Sequence, residues 1–149
     1  MAKKIHADTG IMVPVTFMSL FVVSSAVIFV ANSLFPSQVV LGTHSITAGW
    51  SILLSISALS LFNTLAVPFI REYENKKEKM FSDRDWMLAY LALNFAGLWI
   101  LSRFAEQLGL GLSSWIVAAV LAAILDVTQG LAIMTIHKYR ARIKQAGYA

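Results

Sequence analysis

The sequence predicts an all-α integral membrane protein: four transmembrane helices as two tandem helical hairpins, with both termini cytoplasmic. Three observations lead there. Hydrophobic residues make up 58% of the 149 residues and charged residues only 13%, against about 25% charged in a soluble domain. The charges are also segregated, with no Asp, Glu, Lys or Arg from Thr9 to Ile70, from Trp86 to Ser102 or from Gln107 to Leu125. Finally, ten of the fifteen residues from Arg71 to Asp85 are charged, so the uncharged runs are separated by a strongly polar connection.

A membrane span needs about 20 apolar residues. The first span is expected over 11–35, with Pro14 in its first turn, where its missing N–H is tolerated, and Pro36 after its end. Lys3 and Lys4 precede this run, and Ser24-Ser25-Ala26 offers small residues of the kind found at cleavage sites. The apolar run continues well past them, so it is expected as a retained helix rather than a cleaved signal. The second span is expected over 45–70, bent by Pro68 in its last turn. Residues 71–85 are expected as a solvated connector; as a helical extension they would pair Glu72 with Lys76. The third span is expected over 86–104, capped by Asp83 or Asp85. The fourth is expected over 113–136, capped by Ser113 or Ser114.

Eleven of the twelve Lys and Arg fall in the N-terminal segment, the 71–85 connection and the tail after His137; Arg103 is the exception. Positive residues stay inside, which places these three segments in the cytoplasm and the protein in the inner or plasma membrane. The same rule explains the net charge of +4 without nucleic acid. Trp86 and Tyr139 fall at the inner boundary and Trp115 at the outer one, as interfacial aromatics do. There is no cysteine, which excludes disulfides and thiolate metal sites. His6, His44 and His137 lie in three different boundary regions and do not form one metal site. With no Gly-rich phosphate loop, no nucleophile elbow and no paired carboxylates on one span, neither an enzyme nor a cofactor is expected.

The residues of interest are the polar ones inside the spans. Asp126 lies near the middle of the fourth span, where a charge costs about 2.5–3.5 kcal/mol on insertion scales. Gln129 is one turn away, Gly130 permits close helix contact, and Ala119, Ala122 and Ala123 continue a stripe of small residues. Counting ~1.5 Å per residue puts Asn63 and Asn94 at about equal depth, roughly 12 Å from one boundary. Asp126, Gln129, Asn63 and Asn94 are therefore expected as one intramembrane polar site, with Ser51, Ser55, Ser57, Ser60 and Thr64 adding hydroxyls on the second helix. Asp126 is expected to be its hydrogen-bond hub; the alternative makes it the binding group for a proton, cation or cationic substrate in transport. Arg103 and Glu106, three residues apart, are expected to form an ion pair at the outer interface.

The chain also repeats itself. Phe35, Gln38, Leu41 and Gly42 recur as Phe104, Gln107, Leu110 and Gly111 at one spacing, and Ser33 matches Ser102. Each half starts and ends on the same side, so the repeat is parallel.

Asn63-Thr64-Leu65-Ala66-Val67-Pro68 resembles the N-x-x-x-x-P signature of the four-helix phage-holin superfamily IV. Asn94-Phe95-Ala96-Gly97-Leu98-Trp99 resembles that family's third helix, and Phe35-Pro36 its outer turn. The resemblance covers Val27 to Ile136. It departs in the long charged middle connection, which that family keeps short and apolar, and in Asp126, which has no counterpart there. A second resemblance is to small four-helix flippases for polyisoprenoid-linked sugars, whose last helix ends in a basic-aromatic stretch like His137-Lys138-Tyr139-Arg140. Many holin-like proteins are cellular with no shown lytic role, so the family name does not itself carry a function. The expected function is a small non-enzymatic multi-pass protein, in contact with membrane lipids, acting as a homo-oligomer or within a larger membrane complex. The alternative is a small transporter or flippase that uses Asp126.

Overall fold

The computed structural model describes the backbone of residues 2–146, and side chains from Val13 to Arg142 apart from His137 and Arg140. The side chains of Lys3, Lys4, His6, His137 and Arg140 lie outside the described residues. In chain order the elements are α1 (Ala2–Leu34), β1 (Val39–Leu41), α2 (Ala48–Lys77), α3 (Asp83–Arg103), α4 (Ala105–Leu108), β2 (Leu110–Leu112) and α5 (Trp115–Ala146). The segments Val13–Leu34, Ala48–Lys77, Asp83–Arg103 and Trp115–Ile136 are long and apolar enough to cross a membrane. This is an all-helical, multi-pass membrane protein.

Several boundaries differ from the expected ones. α1 starts at Ala2, so Pro14 lies well inside the helix instead of in its first turn. α2 passes through Pro68 and on to Lys77, so the charged stretch after Ile70 is helix rather than connector. The residues Arg71–Lys77 explain this: Glu and Lys are good helix formers, Lys76 and Lys77 oppose the negative helix end, and Lys76 Nζ lies 3.4 Å from Glu72 Oε1 one turn back. The helix stops where Glu78 turns left-handed, at φ 51°. α3 is capped by Ser82, not by Asp83 or Asp85. The Ser82 hydroxyl accepts from the Asp85 N–H, and the Asp85 carboxylate accepts from the Ser82 N–H at 2.9 Å, a reciprocal capping box. Ser114 caps α5, its hydroxyl accepting from the Val117 N–H.

The four long helices pack in a ring, α1 against α2 and α5, α3 against α2 and α5. Each turns a narrow line of side chains inward: Leu20, Ser24 and Ile28 of α1; Ile56, Leu59 and Asn63 of α2; Asn94 and Leu98 of α3; Leu121, Ala122, Leu125 and Gln129 of α5. These recur at spacings of three and four, one face of a helix. The outside is apolar as well: Phe69 is 73% exposed and Leu131 61%. In water such a surface would aggregate; in hydrocarbon it is the ordinary exterior. At the inward contact of α2 with α3, a Cβ added to Gly97 would collide with the buried Leu59 side chain, so the two helices touch backbone to side chain there.

A feature the sequence reading lacked closes one end of the bundle. β1 and β2 pair antiparallel, Val39 with Leu112, Val40 with Gly111 and Leu41 with Leu110. Gly42 N–H to Gly109 O at 2.8 Å and Ser113 N–H to Gln38 O at 3.0 Å extend the ladder. The repeated segments are therefore each other's partners. Their turns are also alike: the N–H groups of Gln38 and Val39 both donate to the Phe35 carbonyl, and those of Gln107 and Leu108 both donate to the Phe104 carbonyl. These bonds match at the sequence spacing of 69 that relates Phe35 to Phe104 and Gln38 to Gln107. Gly109, at φ +81°, ends α4 with its Cα against Ser51 of α2; a Cβ there would stand 3.1 Å from the Ser51 Cα. The neighbouring Ser55 hydroxyl donates to the Leu108 carbonyl at 2.8 Å.

Gly109→Ala is expected to destabilise the bundle by about 1–2 kcal/mol from the left-handed backbone alone, with the Ser51 clash added. Gly111→Ala meets only ordinary contact with Val40 and is the control. Melting temperatures in detergent compare the two, and equal losses would contradict this account of Gly109.

Candidate functional site: a polar chain across four helices

Near the middle of the bundle, one side chain from each long helix joins a continuous hydrogen-bonded chain. Asn63 Nδ2 of α2 donates to Asn94 Oδ1 of α3 at 2.7 Å. Asn94 Nδ2 donates to Gln129 Oε1 of α5 at 3.0 Å. Gln129 Nε2 donates to Ser24 Oγ of α1 at 2.9 Å. All four are buried, with Gln129 the most accessible at 2%. A buried amide without a partner costs about 1–3 kcal/mol, so three amides threaded donor to acceptor form a mutually dependent set.

Local sequence sets each contributor. On α5 the inward line is Ala118, Leu121, Ala122, Leu125 and Gln129, so Gln129 is the polar member of a core stripe. Its length lets it reach both Asn94 and Ser24. On α1 the line Leu20, Ser24, Ile28 runs at strict four-residue spacing. On α3, Gly97 and Leu98 continue the face that carries Asn94.

The expected site is therefore regrouped. The structure brings Asn63, Asn94 and Gln129 together and adds Ser24. It does not bring Asp126 in. Asp126 follows Leu125 by one residue and so sits about 100° around the helix from it, on the flank of α5. It is half-buried and makes no hydrogen bond among the described residues. Gln129, not Asp126, is the hub that joins α3 to α1. The small Ser24 was legible in the sequence only through its spacing from Leu20 and Ile28.

The remaining polar groups are dispersed. Thr64 donates back to the Ser60 carbonyl at 2.7 Å, and Ser55 serves the α4 turn. Among the described residues the Oγ atoms of Ser25, Ser51 and Ser60, and Asn63 Oδ1, are buried without a partner. Ser25 and Ser60 stand 69 residues before Asn94 and Gln129: where the second half of the chain carries two bonded amides, the first carries two short hydroxyls. Arg103 does not pair with Glu106. Its guanidinium lies over the Trp99 ring, 4.2 Å from the centroid. The chain leaves helical geometry at Phe104, φ −102° and ψ 33°, so Arg103 and Glu106 no longer share a helix face. At the opposite end of the bundle Tyr73, Phe81, Trp86 and Tyr90 form a run of adjacent rings with centroids 6.0–6.2 Å apart.

Two apolar grooves mark the α1–α5 seam. One, about 360 Å³, is lined by Val27, Val30, Leu34, Val120 and Ile124 among others. The other, about 540 Å³ and more open, is lined by Met18, Val22, Leu131 and Thr135 among others. The Ser24–Gln129 bond lies between them in the sequence order of both helices. The arrangement can hold four helices in register. It offers no titrating group in the polar chain, because amides and hydroxyls neither gain nor lose protons near neutrality.

Comparison with known proteins gives no match, whether to a protein family, a curated protein or a solved structure.

Gln129→Leu is expected to cost about 1–3 kcal/mol, because Asn94 Nδ2 and the Ser24 hydroxyl both lose a partner. Asp126→Leu is expected to cost less, since no hydrogen bond among the described residues is broken. Thermal or denaturant unfolding in detergent ranks the pair; a larger loss at Asp126 would restore it as the hub.

Proposed function

We propose that this chain is a non-enzymatic, holin-like membrane protein that works by assembly in the bilayer, as a homo-oligomer or as a component of a larger membrane complex. The observation that carries the reading is the polar chain. It ties all four helices together and occupies the bundle centre with non-titrating groups, so a path for ions or protons through a single chain has neither wet space nor carriers at that level. What remains for function is the outer surface. The short turns around the β1–β2 ladder and the small bundle size favour contacts made side by side in the membrane. Two tandem hairpins with both termini and residues 78–82 in the cytoplasm satisfy the distribution of Lys and Arg.

One observation favours the transporter or flippase alternative. Asp126 is half-buried and makes no hydrogen bond among the described residues, as a group awaiting a proton or cation would be. The two readings separate in proteoliposomes. Protein alone is expected to leave a proton gradient as stable as in empty vesicles. Flux that Asp126→Asn abolishes at unchanged melting temperature would replace the assembly reading with the transporter reading. For assembly itself, particles extracted with their native lipid are expected to contain more than one chain of membrane protein. Particles holding single copies of this chain alone would contradict it. For orientation, cysteines at Ser37 and Ser114 are expected to react with an impermeant reagent on intact cells, and a cysteine at Asn75 only after lysis.

A further inference from the structure

We infer that the flank of α5 bearing Ala119, Ala123, Asp126 and Gly130 is a docking face for a transmembrane helix of another protein that carries a Lys or Arg at mid-depth. The inference rests on the assembly reading and specifies its partner.

The four residues recur at spacings of four, three and four, which places them on one side of the helix. Three are small, and small residues let two helix backbones approach closely in lipid. The bundle leaves part of this space open. A Cβ added to Gly130 meets nothing within 4 Å, and Ala123 is exposed. Gly97 differs, because there the missing side chain is filled by Leu59. The flank, half-covered at Ala119 and Asp126, therefore lies open at Ala123 and Gly130, where a further helix can approach.

Asp126 sits in the middle of this flank, half-buried, without a hydrogen bond among the described residues. Its cost in hydrocarbon, about 2.5–3.5 kcal/mol on insertion scales, is not offset by an ion pair or hydrogen bond among the described residues, although the Tyr90 phenol of α3 is near enough to feel its charge. Carboxyl groups at such depth pair with a donor or face water. No Lys or Arg occurs from Thr9 to Ile70, from Trp86 to Ser102 or from Gln107 to Ile136, where Asp126 is the sole charged residue, and no salt bridge to it occurs among the described residues. A second copy does not supply one either. Across a two-fold contact, Asp126 meets Asp126 or the small residues beside it, and the large exposed side chains a copy brings from its other faces near this depth are apolar, such as Val22, Phe29, Leu61, Leu65 and Val127. Charge complementarity thus selects a foreign basic helix. The small residues bring its backbone close, and the carboxylate fixes its register.

The absence of cysteine makes the test direct. Protein labelled through a single cysteine at Asn75 is reconstituted in phosphatidylcholine vesicles with a labelled Leu/Ala host peptide of about 20 residues that carries one central Lys. Energy transfer reports binding. Saturable association is expected, weakened about tenfold or more, the equivalent of 1.4 kcal/mol, by Asp126→Ala and by Gly130→Leu, which leaves the carboxyl in place. A host peptide with central Leu is expected not to associate. Melting temperatures of both variants are expected to match the wild type, and Asp126→Asn serves as the conservative partner if Asp126→Ala does not fold. Equal binding of the Lys and Leu peptides, binding unchanged by Gly130→Leu, or no binding at all overturns the proposal. So does energy transfer between copies that Asp126→Ala removes, which would assign the face to a second copy. Multi-chain native particles together with failure here would leave the assembly reading standing and remove only this partner.

Discussion

Asn94 has both ends of its amide committed, the oxygen to Asn63 and one N–H to Gln129. In an apolar bundle with an apolar exterior, a buried amide finds its partner in another helix or not at all. That constraint couples the four helices. Sliding one by a residue moves its polar group about 1.5 Å along the axis and turns it about 100°, which breaks the chain. Apolar contacts between helices in lipid do not select a register so sharply, because lipid tails are as apolar as the side chains they replace. The amides thus supply specificity to a fold whose outer and inner surfaces are otherwise chemically alike.

The two ends of the bundle are fixed by other means. At one end the β1–β2 ladder satisfies backbone groups of both turns, and Gly109 lets α4 rest against Ser51 and Ser55 of α2. At the other end the Ser82–Asp85 capping box starts α3 immediately after Glu78 ends α2. Phe81 N–H donates to Glu74 Oε1 at 2.7 Å, which folds the short connection back onto α2. Helix register is thus set in the middle and helix spacing at both ends.

Four spans were legible in the sequence because uncharged runs of sufficient length leave no other interpretation. The depth of Asn63 and Asn94 was legible from rise per residue. Gln129 was noticed only as a neighbour of Asp126, because cost in hydrocarbon ranks a carboxylate above an amide and says nothing about which side of a helix each occupies. The helix face decided it: Gln129 shares the line of Leu121, Ala122 and Leu125, and Asp126 does not. The ladder was hidden because three-residue strands carry almost no periodicity. The repeat of Phe35–Gly42 as Phe104–Gly111 was its visible trace, read as two similar hairpin turns rather than as two strands that pair with each other. The extension of α2 to Lys77 was obscured by charge, which marks the end of a membrane span but not the end of a helix. Arg103 and Glu106 show the reverse error, a spacing argument applied across a break in the helix.

The central claim is that the amides act as one coupled set, and a double-mutant cycle tests it most directly. Asn94→Ala, Gln129→Ala and the double variant are unfolded in the same detergent. Contact across α3 and α5 predicts a coupling energy of about 0.6 kcal/mol or more, the scale found for hydrogen bonds between membrane helices. Additivity within about 0.3–0.5 kcal/mol, as for distant independent sites, would contradict the claim that this chain of amides holds the four helices in register.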